Sequence, residues 1–358
     1  MDHNSARIQE LKHTYFGVRK KKRILIFFLF LLNIVAAIWS MSVGSSDSTL
    51  KTVWMVICDW FVPNPELTLA EKVIVMRVRL PHVAASVLAG VMLSASGLIM
   101  QGIFQNPLVS PYTMGISNGA SCGAAIAIVF SESLAFLHLD SFLTPVFAFA
   151  FSALTMYMVQ ALGKMANNST KSLVLSGIAV GYLFSAIVSL IKYTCDSDKL
   201  PELVFWQMGS VSSASWPKIA IMFVIAAVGV TLLFLNAWNM NVMATGEESA
   251  RSLGIDYKRT RRMAFVLCTM MTGVCVAFTG TIGFVGLVAP HVARKLVGND
   301  YRYTVPTALV CGSLLLLVAD AISRMLSMTM PLPIGVITSI VGVPFFAWII
   351  VQKRSEVA

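Results

Sequence analysis

The side chains that could do chemistry in this chain are few, and their spacing argues against catalysis. No Gly-rich phosphate loop of the GxxxxGK[ST] form, no HExxH pair and no carboxylate dyad or activated nucleophile occurs in a polar stretch. Nucleotide hydrolysis and covalent work on a substrate therefore lack their usual residues. The six cysteines, at 58, 122, 195, 268, 275 and 311, include no CxxC and no Cys/His metal spacing. Four of them fall in apolar runs, where a thiol is a small packing group. His291 follows Pro290 with no second His, Cys or carboxylate beside it, which suits packing or a loop hydrogen bond better than metal ligation. Asp320 and Arg324 stand one helical turn apart inside an apolar run, where such a pair neutralises itself; an Arg324 facing outward to an acidic partner fits the same residues. Lys192, close to the end of its run, can snorkel.

Contact chemistry remains, and it is concentrated in one polar island, Gly246 to Arg262 (GEESARSLGIDYKRTRR). Glu247 and Glu248 come first, where a helix dipole favours negative charge, and Gly254 is a natural stop after Arg251 and Leu253. Ala250 and Leu253 share a face at i, i+3, so the island begins as a short helical knob with one apolar side. Lys258, Arg259, Arg261 and Arg262 follow, just before the next apolar run. Two roles fit these residues: a solvated loop whose charges set membrane orientation, and a docking element for a cytoplasmic partner.

The elements that position the island must be membrane spans. With 57% hydrophobic residues, 12% charged residues and a mean hydropathy of +0.77, the chain has too little polar surface to cover a soluble core. Apolar runs fall at about 24–43, 80–104, 113–130, 142–163, 171–193, 216–237, 263–282, 284–297, 304–326 and 333–351. This predicts an all-α integral membrane protein of about ten transmembrane helices. Its basic tail covers 1–23, and a single polytopic domain covers 24–353, with halves at about 24–200 and 216–353 around a loop at 238–262. The stretch 53–62 is too short to span and reads as interfacial.

Charge orients these spans. An even count puts both termini on one side, and if that side is the cytoplasm, its segments hold 19 of the 27 Lys and Arg residues. The formal charge of +10 is then largely membrane orientation, and nucleic-acid binding loses its support.

A gap-free shift of 183 residues superposes Arg79 on Arg262, Gly90 on Gly273, Gly97 on Gly280, Pro107 on Pro290 and Gly115 on Gly298. The copies would run in opposite directions, giving a 5+5 inverted repeat, a common transporter plan with its path between the halves. Chance matching in Gly-rich membrane sequence is the competing account. Rows such as Gly115, Gly119, Gly123 and Gly177, Gly181 allow close helix approach. Pro107, Pro111, Pro290 and Pro344 read as helix breaks, tolerated where protein or a water path satisfies the freed backbone groups.

Several long runs then become specific: RLPHVAASVLAGVMLSASGLIMQGIFQNPLVSPYTMGISNGAS (79–121), GEESARSLGI (246–255), GTIGFVGLVAPHVARKLVGND (280–300), LVADAISR (317–324) and LPIGVITSIVGVPFFAWII (332–350). They resemble the FecCD-type permeases of binding-protein-dependent ABC importers for ferric siderophores, haem and cobalamin, from the second span to the C-terminus. The resemblance implies a cobalamin-permease-like fold in a multi-pass protein of the bacterial or archaeal cytoplasmic membrane, both termini cytoplasmic. It implies pairing with a second permease copy or paralogue, two cytoplasmic ATPase subunits and an extracytoplasmic solute-binding protein. ATP and Mg would sit on the ATPase, and this chain would bind no cofactor.

By the same resemblance, Glu247, Glu248, Ala250, Arg251, Leu253 and Gly254 form the coupling helix seated in the ATPase. Arg79, His82 and Arg324 receive the binding protein, with His82 standing where the family has Arg. Asn168, Ser169, Thr170 and Lys171 form the cytoplasmic gate. A ferric siderophore is the first expectation for cargo, with haem or a corrinoid as the alternative. A lone ion-coupled carrier is the distant rival, for which Asp320 is thin provision.

Overall fold

Each of the ten apolar runs is a helix in the computed structural model, which describes residues 2–44, 50–59, 67–167, 169–326 and 332–355. In chain order the helices are α1 (Asp2–Ser42), α2 (Leu50–Cys58), α3 (Leu69–Val73), α4 (Leu80–Ile103), α5 (Ile116–Val129), α6 (Leu143–Met165), α7 (Thr170–Thr194) and α8 (Leu200–Met208). They continue with α9 (Trp216–Leu235), α10 (Ala237–Met243), α11 (Glu247–Ser252), α12 (Tyr257–Thr279), α13 (Val285–Val297), α14 (Tyr301–Leu326) and α15 (Ile334–Ser355). Among the described residues seven helices are long and apolar enough to cross a membrane, and Ile116–Val129 and Ile334–Trp348 are shorter apolar helices. α13 is shorter still, at 13 residues. The interfacial reading of 53–62 meets α2, whose Val53 and Val56 pack with Leu67 and Val75.

α4 is the hub: α1, α9, α12, α13 and α14 all pack on it. Its sequence explains this, because it carries small residues where neighbours cross. A Cβ on Gly97 would sit 1.7 Å from the carbonyl oxygen of Gly286 in α13, and one on Gly90 would sit 2.4 Å from that of Gly312 in α14. Backbones this close gain dispersion contacts that side chains would prevent, the main source of helix association where lipid competes for apolar surface.

Helix α1 is different, with only 17% of its apolar window buried. Polar clips hold it to α14. Arg19 Nε donates to Tyr303 Oη at 2.8 Å and Lys22 lies over the same ring. Deeper in, Asn33 Nδ2 donates to Ser313 Oγ at 2.6 Å and to the Val310 carbonyl at 3.0 Å.

α4 and α12, which the 183-residue shift superposes, pack on each other. Beyond them the two prolines part: Pro107 lies in the irregular segment between α4 and α5, whereas Pro290 lies inside α13.

Candidate functional site

At one end of the bundle the island folds as α11, entered through Gly246 at φ 117°. Its exit is a Schellman turn: Ile255 N donates to the Ala250 carbonyl at 2.9 Å and Gly254 N to the Arg251 carbonyl at 3.0 Å. Gly254 has φ 76°, the left-handed backbone that a residue with a Cβ enters at a cost. The shared apolar face expected from the i, i+3 spacing is not formed: Ala250 is fully buried, while Leu253, at the C-cap where the helix has ended, is 62% exposed. Glu247 and Arg251 form an exposed i, i+4 pair at 2.6 Å, and Glu248 is exposed beside them. The result is a rigid knob backed by core, offering one leucine and a rim of charge.

No local signal announces how this knob is joined to the bundle. Helix α10 precedes it, and Asn241 on α10 donates to Asp300 Oδ1 at 3.0 Å while accepting Tyr301 N–H at 2.8 Å. Asp300 also takes the Arg302 N–H and guanidinium at 2.9 to 3.1 Å, which starts α14. Burial pushes the Asp300 carboxyl up, but the bonds from Arg302 and Asn241 outweigh it and hold the group below the ordinary carboxylate range. Gln105, at the end of α4, donates to the Met243 carbonyl at 3.3 Å. Hydrogen bonds thus join the mount of the knob to the end of α4 and the start of α14. These groups rim an open polar cleft of about 860 Å³ with Gln101, His291, Arg294 and Lys295. His291 packs edge-on against Phe345, in keeping with a packing role, and no cluster of possible metal ligands occurs among the described residues.

Pro290 corrects an expectation. It breaks no helix, because α13 runs through it. The carbonyl its ring would orphan, that of Gly286, takes a long 3.5 Å contact from Gln101 Nε2 instead. Gln101 in turn accepts from Arg294 through Oε1. Pro344 likewise sits inside α15. Pro107 and Pro111 do lie outside helices, between α4 and α5.

At the opposite end Arg79 is buried, at 4% exposure, and the side chain of half-buried Arg324 is 10% exposed, so neither is presented to solvent. Arg324 pairs with Asp320 at 2.7 Å and donates to the Ser40 and Val43 carbonyls at 2.8 and 2.6 Å. Arg79, ending a π-helical turn over Ile74–Arg79, donates to the Met41 carbonyl. The two guanidiniums thus cap the C-terminus of α1, where exposed carbonyls attract positive charge. His82 is also buried, 3.2 Å from the Ser212 carbonyl. Of the four residues read as a gate, Asn168 lies outside the described residues. Ser169 caps α7, accepting from Ser172 N at 3.1 Å, and Thr170 and Lys171 are exposed on its first turn.

Helix α8, which the sequence did not announce, is gripped at this end by backbone contacts. A Cβ on Gly280 would lie 2.2 Å from the Trp206 carbonyl oxygen and one on Gly335 2.1 Å from that of Met208. Thr281 Oγ1 donates to the Gln207 carbonyl at 2.5 Å.

A multi-span helical bundle with a core-backed knob at one end is an architecture of transport permeases. The model of the FecCD transport family matches residues 31–352, and the chain belongs to that family, the permease subunits of ABC importers. It is 32% identical to the hemin transport system permease protein HmuU of Yersinia pestis over 94% of this chain and 98% of that one. It is 33% identical to the iron(3+)-hydroxamate import system permease protein FhuB of Bacillus subtilis strain 168, over 89% and 81%. A solved inward-facing structure of a metal-chelate type ABC transporter superposes with a TM-score of 0.80 at 30% identity, covering 92% of this chain and 99% of that one.

Proposed function

We propose that this chain forms the transmembrane half of an importer for a metal chelate, a ferric siderophore first, with haem or a corrinoid as the alternative in the same type of system. Its relatives at 32% and 33% identity are named for hemin and for a ferric hydroxamate. Discrimination between such cargoes then falls to the separate binding protein. The end bearing α11 is the cytoplasmic one, by the distribution of Lys and Arg, and both termini lie there. ATP and Mg sit on two partner ATPase subunits, and this chain binds neither. A second permease copy or paralogue completes the path, and Ser169, Thr170 and Lys171 line its inner mouth.

The observation that carries this reading is the exposed Leu253 on a knob whose other face, Ala250, is fully buried. An apolar anchor on a stiff mount suits a cleft in a partner that must push and pull. Docking of the binding protein at Arg79, His82 and Arg324 draws less support from the geometry, because their polar groups already hold the end of α1 and the Ser212 loop.

The test is the assembled complex in liposomes. Leu253→Asp and Glu248→Arg should each lower uptake and receptor-stimulated ATPase activity by about tenfold or more, the scale of a lost interface anchor. Wild-type behaviour in both variants would remove the coupling assignment. Uphill transport by this chain alone on a voltage or pH difference would remove the importer reading itself.

A further inference from the structure

Helices α13, α14 and α15 frame a groove of about 340 Å³ on the side of the bundle. No charged side chain lines it. Its one hydroxyl, Thr338 Oγ1, turns back on its own helix and donates to the Gly335 carbonyl at 3.1 Å. Phe284 and Gly342 lie together in its wall, where any Cβ on the glycine would collide with the phenyl ring. Val318 of α14 and Val341 of α15 are exposed along it, so the groove opens sideways out of the bundle. On α14 the lining runs from Cys311 to Ile322, about 16 Å of helix. One leaflet of hydrocarbon is about 15 Å deep, so the groove is long enough for one acyl chain.

The two ends of the groove differ in charge, and this selects the occupant. Val292 and Phe345 are the lining residues towards the end that bears α11. One turn further along the same two helices, Lys295 and Trp348 meet. The Lys295 ammonium lies 4.4 Å from the centroid of the indole, and the indole packs on Phe345 with centroids 5.9 Å apart. Lys295 is exposed, and α15 runs on through Lys353 and Arg354. Tryptophan and lysine at the end of apolar helices stand at headgroup level. Beyond Ile322, at the other end, the next cation among the described residues is Arg324, which is already engaged by Asp320 and by the carbonyls that end α1. An apolar trough with a cation at one mouth suits an amphiphile with a single negative head.

We propose that this groove is a phospholipid site: it holds one acyl chain of an anionic lipid whose phosphate rests on Lys295. The lipid braces α15 against α13 and α14 and belongs to the leaflet on the α11 side. That leaflet is the inner one by the distribution of Lys and Arg. The site is independent of the cargo and of the coupling assignment.

Native mass spectrometry of the assembled complex, titrated with phosphatidylglycerol or with phosphatidylcholine of the same chains, tests it. The first lipid bound per chain should favour phosphatidylglycerol about fivefold, the scale of one basic residue at a membrane surface. Lys295→Gln should abolish that preference, while Lys21→Gln, at an exposed position of the basic tail, should leave it intact. Val318→Trp should fill the groove and weaken both lipids at least fivefold, and Val341→Trp does the same work from α15 if the first variant fails to assemble. Equal affinity for the two lipids, a preference that survives Lys295→Gln or is lost in Lys21→Gln, or wild-type binding in the tryptophan variants would each overturn the site. If Val318→Trp separates the two permease chains with lipid binding untouched, the groove belongs to a second copy and the proposal is wrong. None of these readouts uses uptake or ATPase activity, so the importer reading stands or falls separately.

Discussion

Arg324 and Asp320 form a buried pair that could be mistaken for a surface contact, and single substitutions separate the two ideas. Removing one partner of a buried pair leaves an uncompensated charge, typically at about 3–5 kcal/mol. Arg324→Gln should therefore lower the thermal midpoint of the purified protein sharply, and Asp320→Asn added to it should recover part of the loss. A residue used only for receptor docking would leave the midpoint unchanged. Asn241→Ala tests the other end: it should uncouple ATPase turnover from uptake with little loss of assembly, because Asn241 joins α10 to Asp300 and Tyr301. The Asp300 carboxyl is held below its ordinary range, so its contribution is complete above about pH 4 and fades only as pH falls through the lowered value. Coupling through this link should accordingly be flat from pH 5 to 8 when the uptake-to-ATPase ratio is measured. The residues of α11 were legible in the sequence because leading acids and a glycine stop are local signals, whereas the i, i+3 pair misled, since the helix ends before Leu253 and turns it away from Ala250. Asn241 was not, since its partners lie about sixty positions away. The burial of Arg324 was hidden for the same reason, because its carbonyl partners belong to α1.

Among the elements, α13 shows why a proline read as a break can sit within a helix. Gln101 on α4 covers the Gly286 carbonyl that Pro290 leaves open, and Arg294 holds the other end of the amide. Gln101→Leu keeps the volume but strips both bonds. It should cost roughly 1–3 kcal/mol in stability, the range for a buried polar group left unsatisfied, read as a lower thermal midpoint in detergent. Gln101→Glu, which keeps an acceptor for Arg294, should cost less. Run length located the ten apolar helices, seven of them long enough to cross a membrane among the described residues, since those follow from apolar composition alone. The small helices α8 and α10 escaped, because nine and seven residues of mixed polarity carry too little pattern. Their positions are set by what grips them: Gly280 and Gly335 for α8, Asp300 for α10.

For the whole molecule, the contrast between α4 and α1 is the most telling. α4 is locked by backbone-to-backbone crossings that admit no side chain, whereas α1 lies outside and is fastened at Tyr303, at Ser313 and through the two arginines that cap its end. Such a part behaves like a bolted strut. A gene divided between the codons for Ser42 and Leu50, with both pieces expressed together, should yield a working permease by uptake assay, while Asn33→Leu in the short piece should weaken recovery. The same attachment has a consequence for biogenesis: Arg79 can fasten the end of α1 early, but the clips at Tyr303 and Ser313 emerge from the ribosome 284 and 280 positions after their partners, so until then the strut waits in lipid carrying an unmet Asn33 amide.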